Sequence, residues 1–491
     1  MKKIDAFLNS ITMYRLVLYG LGGLVVLAAG LGFTNVLSYS GQQIAATTAA
    51  LLIGCYVTNK LLGLVYGAVT NSESYLITAL ILALILPPTT DPEKLLYIVF
   101  AGFLAVISKF LIAFRHKHVF NPAALGAAVA SLMGVVSVIW WVGTPVLLPY
   151  VAIFGFLVIR KIRRAALASA FLISSMLMLL LVASVSGQPV LTLIKNAVLS
   201  GPLLFFAGVM LTEPATMPSS RYRQVLFGAL VGTLYTSQLR YGTVSTSPHM
   251  VLLAGNLFAF GLNHKQSYTL RLKEKIKISD RVYDFIFEPN RALRFVPGQY
   301  MEWTLKHKRI DGRGNRRSFT IASSPTEPLV HLGVKFYEPS SSYKKALLAL
   351  SPGDKIAASG LAGSFTLPSD VSKKLVFVAG GIGITPFRSM LKYMIDTNEV
   401  RDIVLFYGLS SAQEAAYKDV LRAAQAHGVT VVPVVMPAVF DELKIKHYVP
   451  DYEHRLFYLS GPHGMVEAYK DLLHNMGIRS DSIVTDYFSG Y

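Results

Sequence analysis

Up to about Leu262 the chain is a succession of long apolar stretches, and this repetition constrains the fold more than any other feature. Each stretch is near the ~20 residues that a helix needs to cross hydrocarbon. Spans are predicted near 14–35, 43–66, 74–88, 94–114, 121–142, 146–160, 165–185, 194–212, 224–239 and 248–262. The third and sixth are short, which leaves room for broken or re-entrant segments. Hydrophobic residues make up 53% of the 491 positions and charged residues 15%, more apolar surface than a water-soluble interior hides, so a lipid bilayer is implied. The first half is expected to be an all-α transmembrane bundle of about ten helices, residues 1–265.

Charge placement gives the orientation, because Lys and Arg near span ends favour the cytoplasmic side. With the N-terminus inside, that side collects Lys2, Lys3, Lys60, Arg115, Lys117, Arg160, Lys161, Arg163, Arg164, Arg221, Arg223 and Lys265. The opposite side receives Lys94, Lys195 and Arg240. The net charge of +18 follows from this topology, and no basic stripe interleaved with exposed aromatics points to nucleic acid, so no nucleic-acid partner is expected. Residues 1–14 lack the pattern of a signal peptide, so the first span is expected to remain in the mature, multi-pass protein of the cell (inner) membrane. The single cysteine, Cys55, lies in an apolar run; disulfides, iron-sulfur clusters and cysteine-bound zinc are excluded within the chain, and no metal site is expected. Redox chemistry here would need an organic cofactor or a partner.

After Ser267 the texture changes to alternating strands, such as 282–287 and 330–336, with Pro-Gly turns and ordinary charge density. From Lys374 the pattern becomes βα, with strands at 375–379 and 403–407 and helices at 386–395 and 412–426. A small antiparallel β-barrel, 266–370, followed by an α/β nucleotide-binding domain, 371–491, is expected on the cytoplasmic side.

Specific motifs lie on this second half. Pro297-Gly298-Gln299-Tyr300 is a strand turn, and Arg317-Ser318-Phe319-Thr320-Ile321-Ala322-Ser323 is an arginine-led strand. Gly380-Gly381-Ile382-Gly383-Ile384-Thr385-Pro386 follows a strand and opens a helix, the setting in which glycines admit a dinucleotide pyrophosphate. Ser460-Gly461-Pro462-His463-Gly464-Met465 comes later, and the chain ends Asp486-Tyr487-Phe488-Ser489-Gly490-Tyr491.

In this order, over about 220 residues, the motifs resemble the ferredoxin-NADP reductase family. Ser341, Ser342 and Tyr343, and the segment 360–365, stand where that family has a phosphate-binding turn and a Gly-rich loop, which the resemblance implies can cradle a diphosphate. The resemblance implies an FAD site at Tyr300, Arg317, Ser318, Phe319, Thr320, Ser341, Ser342 and Tyr343, where a guanidinium pairs with the flavin diphosphate, an aromatic ring packs on the flavin and a hydroxyl bonds its N5 edge. It implies that NAD binds at Gly380, Gly381, Gly383, Thr385, Pro386, Ser410, Gly461, Pro462 and Met465. The family's Cys-Gly-Pro segment has serine here, Ser460. A terminal aromatic is implied to cover the flavin until nicotinamide displaces it, Phe488 first and Tyr491 second. Thr320, Ser460 and Phe488 are the expected catalytic residues. The loop Gly408-Leu409-Ser410-Ser411-Ala412-Gln413-Glu414 offers hydroxyls and an acid rather than basic groups for a 2′-phosphate, which favours NADH over NADPH.

In the first half, Val119-Phe120-Asn121-Pro122-Ala123-Ala124 and Leu211-Thr212-Glu213-Pro214-Ala215-Thr216-Met217-Pro218 are similar to the NqrB/RnfD family, the membrane components of the sodium-pumping NADH:quinone reductase and of the Rnf complex. Those relatives attach a flavin to threonine in a Ser-Gly-Ala-Thr stretch, which 135–150 lacks, so covalent FMN is not expected. The resemblance implies noncovalent FMN or riboflavin among the helices, with Lys109, Arg115, Asn121, Glu213 and Thr216 as candidate contacts. The plainer reading gives Arg115 and Lys117 to charge topology and Asn-Pro to a helix start. Haem is not expected, because His116, His118, His249 and His264 fall at span ends rather than in facing pairs.

The expected function is an NADH-dependent FAD oxidoreductase that passes electrons to a quinone or an extracytosolic flavoprotein, with further membrane electron-transfer subunits as partners. Two alternatives stay open: a transport or scaffold subunit whose soluble part senses redox state or nucleotide, and a ferric or quinone reductase that uses the spans only as an anchor.

Overall fold

The computed structural model describes residues 7–8, 11–66, 72–114, 117–218, 220–237, 240–241, 244–245, 247–263, 268–279, 281–307, 310–311 and 314–488. The chain divides into two compact units, Met1–Lys265 and Gln266–Tyr491.

The first unit is helical: α1 (Met13–Phe33), α2 (Gly41–Val65), α3 (Ser72–Ile85), α4 (Pro92–Leu111), α5 (Pro122–Leu132), α6 (Leu148–Ile162), α7 (Ala165–Ser186), α8 (Val190–Ser200), α9 (Leu203–Met210), α10 (Arg221–Thr236) and α11 (Pro248–Asn263). Local chemistry sets the starts. Ser40 and Gln43 form a reciprocal capping box on α2, while Asp91 and Asn121 cap α4 and α5 with proline in the first turn of each. Small residues let the helices close on one another: a Cβ on Gly232 would sit 2.4 Å from Phe171 O, and one on Gly208 2.5 Å from Gly155 Cα. Cys55 is buried in α2.

Among the described residues four helices are long and apolar enough to cross a membrane, α1, α2, α4 and α7, and a fifth if the bent pair α8–α9 counts as one span. The expectation of about ten spans is corrected in two places where apolar sequence is not continuous helix. The segment read as a span at 121–142 is helical only to Leu132; Gly134 (φ 71°) then turns the backbone. The residues that follow are rich in Val and Trp and are not helical, with Trp140 left-handed (φ 51°), Ile139 and Trp140 N–H donating to Ile85 O and Val142 N–H to Leu84 O. They satisfy the open carbonyls at the end of α3. The segment read as one span at 194–212 breaks at Gly201-Pro202 into α8 and α9, bent by 61°. Proline has no N–H to continue the ladder, and π-helical turns flank the break.

The second unit holds two sheets. Strands β1 (Tyr268–Lys277), β2 (Val282–Pro289), β3 (Tyr300–Thr304), β4 (Arg316–Thr320), β5 (Val330–Lys335) and, after helix α12 (Ser342–Leu348), β6 (Lys355–Ala362) form an antiparallel sheet in the order β4-β3-β6-β1-β2-β5. Trp303, Phe285, Phe287 and Tyr343 fill its core. Among the described residues its edges do not zip into the expected closed barrel. They meet through Ala322 N–H donating to His331 O and His331 N–H donating to Ser323 Oγ.

Beyond it, β7 (Leu375–Gly380), α13 (Thr385–Asp396), β8 (Ile403–Leu409), α14 (Lys418–Ala424), β9 (Val429–Val435), α15 (Glu442–Tyr448), β10 (Leu456–Pro462), α16 (His463–Asn475) and β11 (Ile483–Phe488) build a parallel sheet in the order β9-β8-β7-β10-β11. β7 is buried along its whole length, as a central parallel strand covered on both faces must be. The helix read at 412–426 starts only at Lys418, because Tyr417 holds a left-handed conformation (φ 58°) and 410–417 form a loop. At the amino edge of this sheet Arg455, just before β10, ties in β8 and β7: its guanidinium donates to Asp402 Oδ1 at 2.7 Å and Oδ2 at 3.0 Å, to Leu375 O at 3.5 Å, and to Asp451 Oδ1 in the preceding turn at 2.7 Å.

Candidate functional site

Chain order reverses between β7 and β10, so their carboxyl edges frame a crevice of the kind that receives ligands in open α/β sheets. Ala379 pairs with Ser460 across the parallel ladder, and Pro462 pairs with Phe488 of β11. The turn 380–386, the segment 460–465 and the backbone of Phe488 therefore share one edge. Glycine is required here by contact. A Cβ on Gly383 would lie 2.3 Å from Ser460 O, and one on Gly380 2.3 Å from Met465 Sδ. Gly381 is left-handed (φ 53°) and leads through a 3₁₀ turn into α13, whose second residue is Pro386. Ser460 is fully buried, and its hydroxyl has no hydrogen-bond partner among the described residues.

On the antiparallel sheet, Arg317 and Thr320 of β4 are buried while Ser318 is exposed; three positions apart, the two buried side chains leave opposite faces of the strand. The Arg317 guanidinium donates to Gly314 O at 3.1 Å and Arg316 O at 2.6 Å, lies 3.9 Å from Asp311, and stands 5.1 Å over the Tyr343 ring. Thr320 is 3% exposed, and its hydroxyl likewise lacks a partner among the described residues. Phe319 packs on Tyr343, and Tyr300 lines Gly363, which is left-handed (φ 122°).

Tyr343 departs from the sequence reading. Its ring is wholly buried and its hydroxyl donates to Trp303 O, so it carries Arg317 from behind rather than meeting a ligand. Ser341 caps α12 by accepting from Lys344 N–H, and Ser342 Oγ accepts from Asp311 N–H. Both hydroxyls thus order the turn. The side chain of Phe488 and all of Tyr491 lie outside the described residues.

The two sheets are stapled beside the turn. Arg388 of α13 donates to Ala322 O at 3.0 Å and pairs with both carboxylate oxygens of Glu327, while Ser389 Oγ donates to Ser323 O at 2.6 Å. A Cβ on Gly333 of β5 would meet Thr385 Cγ2 at 2.8 Å. The strand that carries Arg317 and Thr320 thus runs directly into the first turns of the helix that follows the glycine turn. Sequence reasoning missed Lys335 at the end of β5, whose ammonium is 4.0 Å from where a Gly381 Cβ would stand and 3.0 Å from Glu414 Oε2. A lysine closing an apolar strand was the available signal. Ser410 is exposed in the β8 loop and bonds to Glu414.

In the first unit, Lys109, Asn121 and Glu213 line one cavity with Tyr14, Ser74 and Thr78. The Lys109 ammonium donates to Ser74 O at 2.9 Å, Ser74 Oγ at 3.0 Å and Thr78 Oγ1 at 2.7 Å. Asn121 caps α5, and its N–H donates to Asn256 Oδ1 at 2.8 Å; Thr216 Oγ1 donates to Glu213 Oε2 at 3.4 Å. Arg115 lies outside the described residues.

Residues 268–367 match the oxidoreductase FAD-binding domain family and residues 377–471 the oxidoreductase NAD-binding domain family. The second unit therefore carries the FAD-binding and NAD-binding domains of a ferredoxin-NADP reductase-type oxidoreductase. Over 212 residues it is 31% identical to the reductase component of propane 2-monooxygenase from Rhodococcus jostii, a match covering 40% of this chain and 56% of the relative. It is 27% identical over 180 residues to an NADPH oxidoreductase from Mycobacterium tuberculosis, covering 35% and 47%. The chain thus spans about half the length of these curated relatives. A cytochrome P450 reductase structure from Amycolatopsis aligns at 22% identity and TM-score 0.41, covering 46% of this chain and 71% of that one.

Proposed function

We propose that this protein is a membrane-bound NAD(P)H-dependent FAD oxidoreductase, favouring NADH, that passes electrons to a membrane or extracytosolic acceptor, a flavin or a quinone. The observation that carries the reading is the joint at 320–323 and 385–389, which sets an arginine-led strand beside a glycine turn on the crevice edge. The residues present fit the two groups: the buried hydroxyls of Thr320 and Ser460, which lack partners among the described residues, are costly unless ligands use them, Thr320 on the FAD side and Ser460 on the nicotinamide side.

FAD, when bound, supplies a hydride acceptor that can release electrons one at a time. Arg317, pre-aimed by two backbone carbonyls, holds a diphosphate; Thr320 donates a hydrogen bond at the flavin's edge. Ser460 and the Gly461-Pro462 backbone position the nicotinamide, and Phe488 covers the ring plane until nicotinamide arrives. Serine in place of the family's cysteine keeps a hydrogen-bond donor but brings no thiol.

Purified protein should show flavin absorbance that NADH bleaches; a colourless preparation that ignores added FAD refutes the enzyme reading. In the membrane unit, the shared cavity of Lys109, Asn121 and Glu213 supports a noncovalent flavin or quinone as the next carrier. Denaturing extraction followed by flavin analysis tests it: FAD alone, with no second flavin and no effect of Lys109→Met on quinone reduction, removes that carrier. The relatives named as reductase components favour an electron-acceptor protein as the alternative recipient. Inverted vesicles enclosing an impermeant acceptor separate transmembrane transfer from anchoring.

A further inference from the structure

Lys335 is 9% exposed, and its ammonium stands at the lip of the glycine turn. A cation beside a glycine turn that opens a helix is where a dinucleotide's diphosphate is drawn. That cation is already engaged: Glu414, from the loop after β8, reaches across to within 3.0 Å of it. Glu414 is itself held by Ser410, which donates through both its main chain and its hydroxyl. Burial works against its charge, yet the bonds from Lys335 and Ser410 keep the Glu414 carboxyl below the usual carboxylate range, so it is ionised at neutral pH. The carboxylate brings negative charge to the place where a second anion must arrive.

We propose that Glu414 is an internal competitor for the diphosphate of the nicotinamide dinucleotide: the substrate binds by replacing this carboxylate on Lys335. The proposal rests on the NAD(P)H reading of the crevice. It makes the pair a determinant of dinucleotide affinity rather than a strut between β5 and the β8 loop. A strut, once cut, weakens binding or leaves it unchanged; a competitor, once neutralised, strengthens it.

The test uses the full-length protein in detergent and ADP-ribose, which carries the diphosphate and lacks nicotinamide. In calorimetric titration, Glu414→Gln should bind ADP-ribose roughly twofold to fivefold more tightly, the range for a partly exposed ion pair. KM for NADH should fall by a similar factor with kcat no higher than wild type, and adenosine, without a diphosphate, should bind as before. In a Lys335→Met background the same substitution should change nothing. Glu414→Ala provides the second variant should Glu414→Gln lose flavin. Equal or weaker ADP-ribose binding by a flavin-loaded variant, or a gain that persists without Lys335, overturns the exchange. Wild-type protein whose flavin NADH bleaches, together with an inert Glu414→Gln, refutes the exchange alone; wild-type protein that binds neither ADP-ribose nor NADH refutes the dinucleotide site itself.

Discussion

Gly383→Ala is the sharpest test of how the crevice is built. The new methyl would lie 2.3 Å from Ser460 O, 2.6 Å from Ser460 C and 2.8 Å from Gly461 Cα, all backbone atoms that no rotamer change can clear. Ordinary contact needs about 1 Å more, so the turn must part from β10 by that distance. The Ala379–Ser460 rung sits at this edge, and the displacement is delivered to the segment proposed to hold the nicotinamide. A misplacement of about 1 Å costs on the order of 100-fold in rate, or about 2.7 kcal/mol in the barrier. Overpacking should also lower stability by about 1–3 kcal/mol. FAD content should stay near wild type, because Arg317 and Thr320 belong to the other sheet. Stopped-flow bleaching of the flavin by NADH reads the step directly, with ferricyanide reduction as the steady-state check. Gly464→Ala is the control: its Cβ meets nothing within 4 Å and should leave the rate unchanged. A folded, flavin-loaded Gly383→Ala protein that reduces its flavin at the wild-type rate refutes the assignment of this edge to the nicotinamide.

Three further outcomes follow from the same geometry. Thr320→Val and Ser460→Ala remove buried hydroxyls that lack partners, so the flavin-free protein should melt at the same temperature or higher, while flavin reduction slows by about tenfold or more; a lowered Tm with unaltered kinetics contradicts this. Arg455→Met should cost about 2 kcal/mol in denaturant titrations, since Asp402 and Asp451 lose their shared partner, and should leave KM for NADH unchanged because Arg455 sits at the sheet edge opposite the crevice. The Arg455 bond, helped by Lys374, holds the Asp451 carboxyl down at about 2. A depressed carboxyl stabilises the fold above its unfolded value near 3.8 and loses that contribution as pH falls toward about 2. Wild type should therefore exceed Asp451→Asn by about 1 kcal/mol at neutral pH, with the gap closing only in that acid window; a gap that closes near pH 6 would exclude Asp451 as its source.

The local backbone of the candidate site was legible wherever it is set by neighbours along the chain. Gly380, Gly381 and Gly383 declare a close backbone approach by their spacing, and the arginine-led run from Arg317 forms a strand as its residue types suggest. Tyr343 was assigned to the flavin only by resemblance to the family's phosphate-binding turn, and tertiary packing, which the sequence does not show, places its ring beneath Arg317. Lys335 and Glu414 were invisible as a pair, since a strand end and a loop 79 residues apart meet only in the folded chain. In the first half, hydropathy located the apolar segments but could not tell helix from irregular apolar chain. The stretch from Val135 to Val142 is apolar enough to be read as the end of a span, yet its β-branched and indole side chains and the turn at Gly134 send it along the end of α3 instead. Pro202 was the visible warning for the α8–α9 break.

The replacement of cysteine by Ser460, together with the burial of Cys55 within α2, leaves the second unit without a single sulfhydryl. Maleimides and mild peroxide should leave its activity intact, since there is no thiolate at the hydride edge to alkylate or to oxidise to a sulfenic acid. The same blankness is an experimental asset: one engineered cysteine on an exposed loop becomes a unique attachment point for a spin probe or fluorophore, so movement of the β8 loop during turnover can be followed in the otherwise native protein.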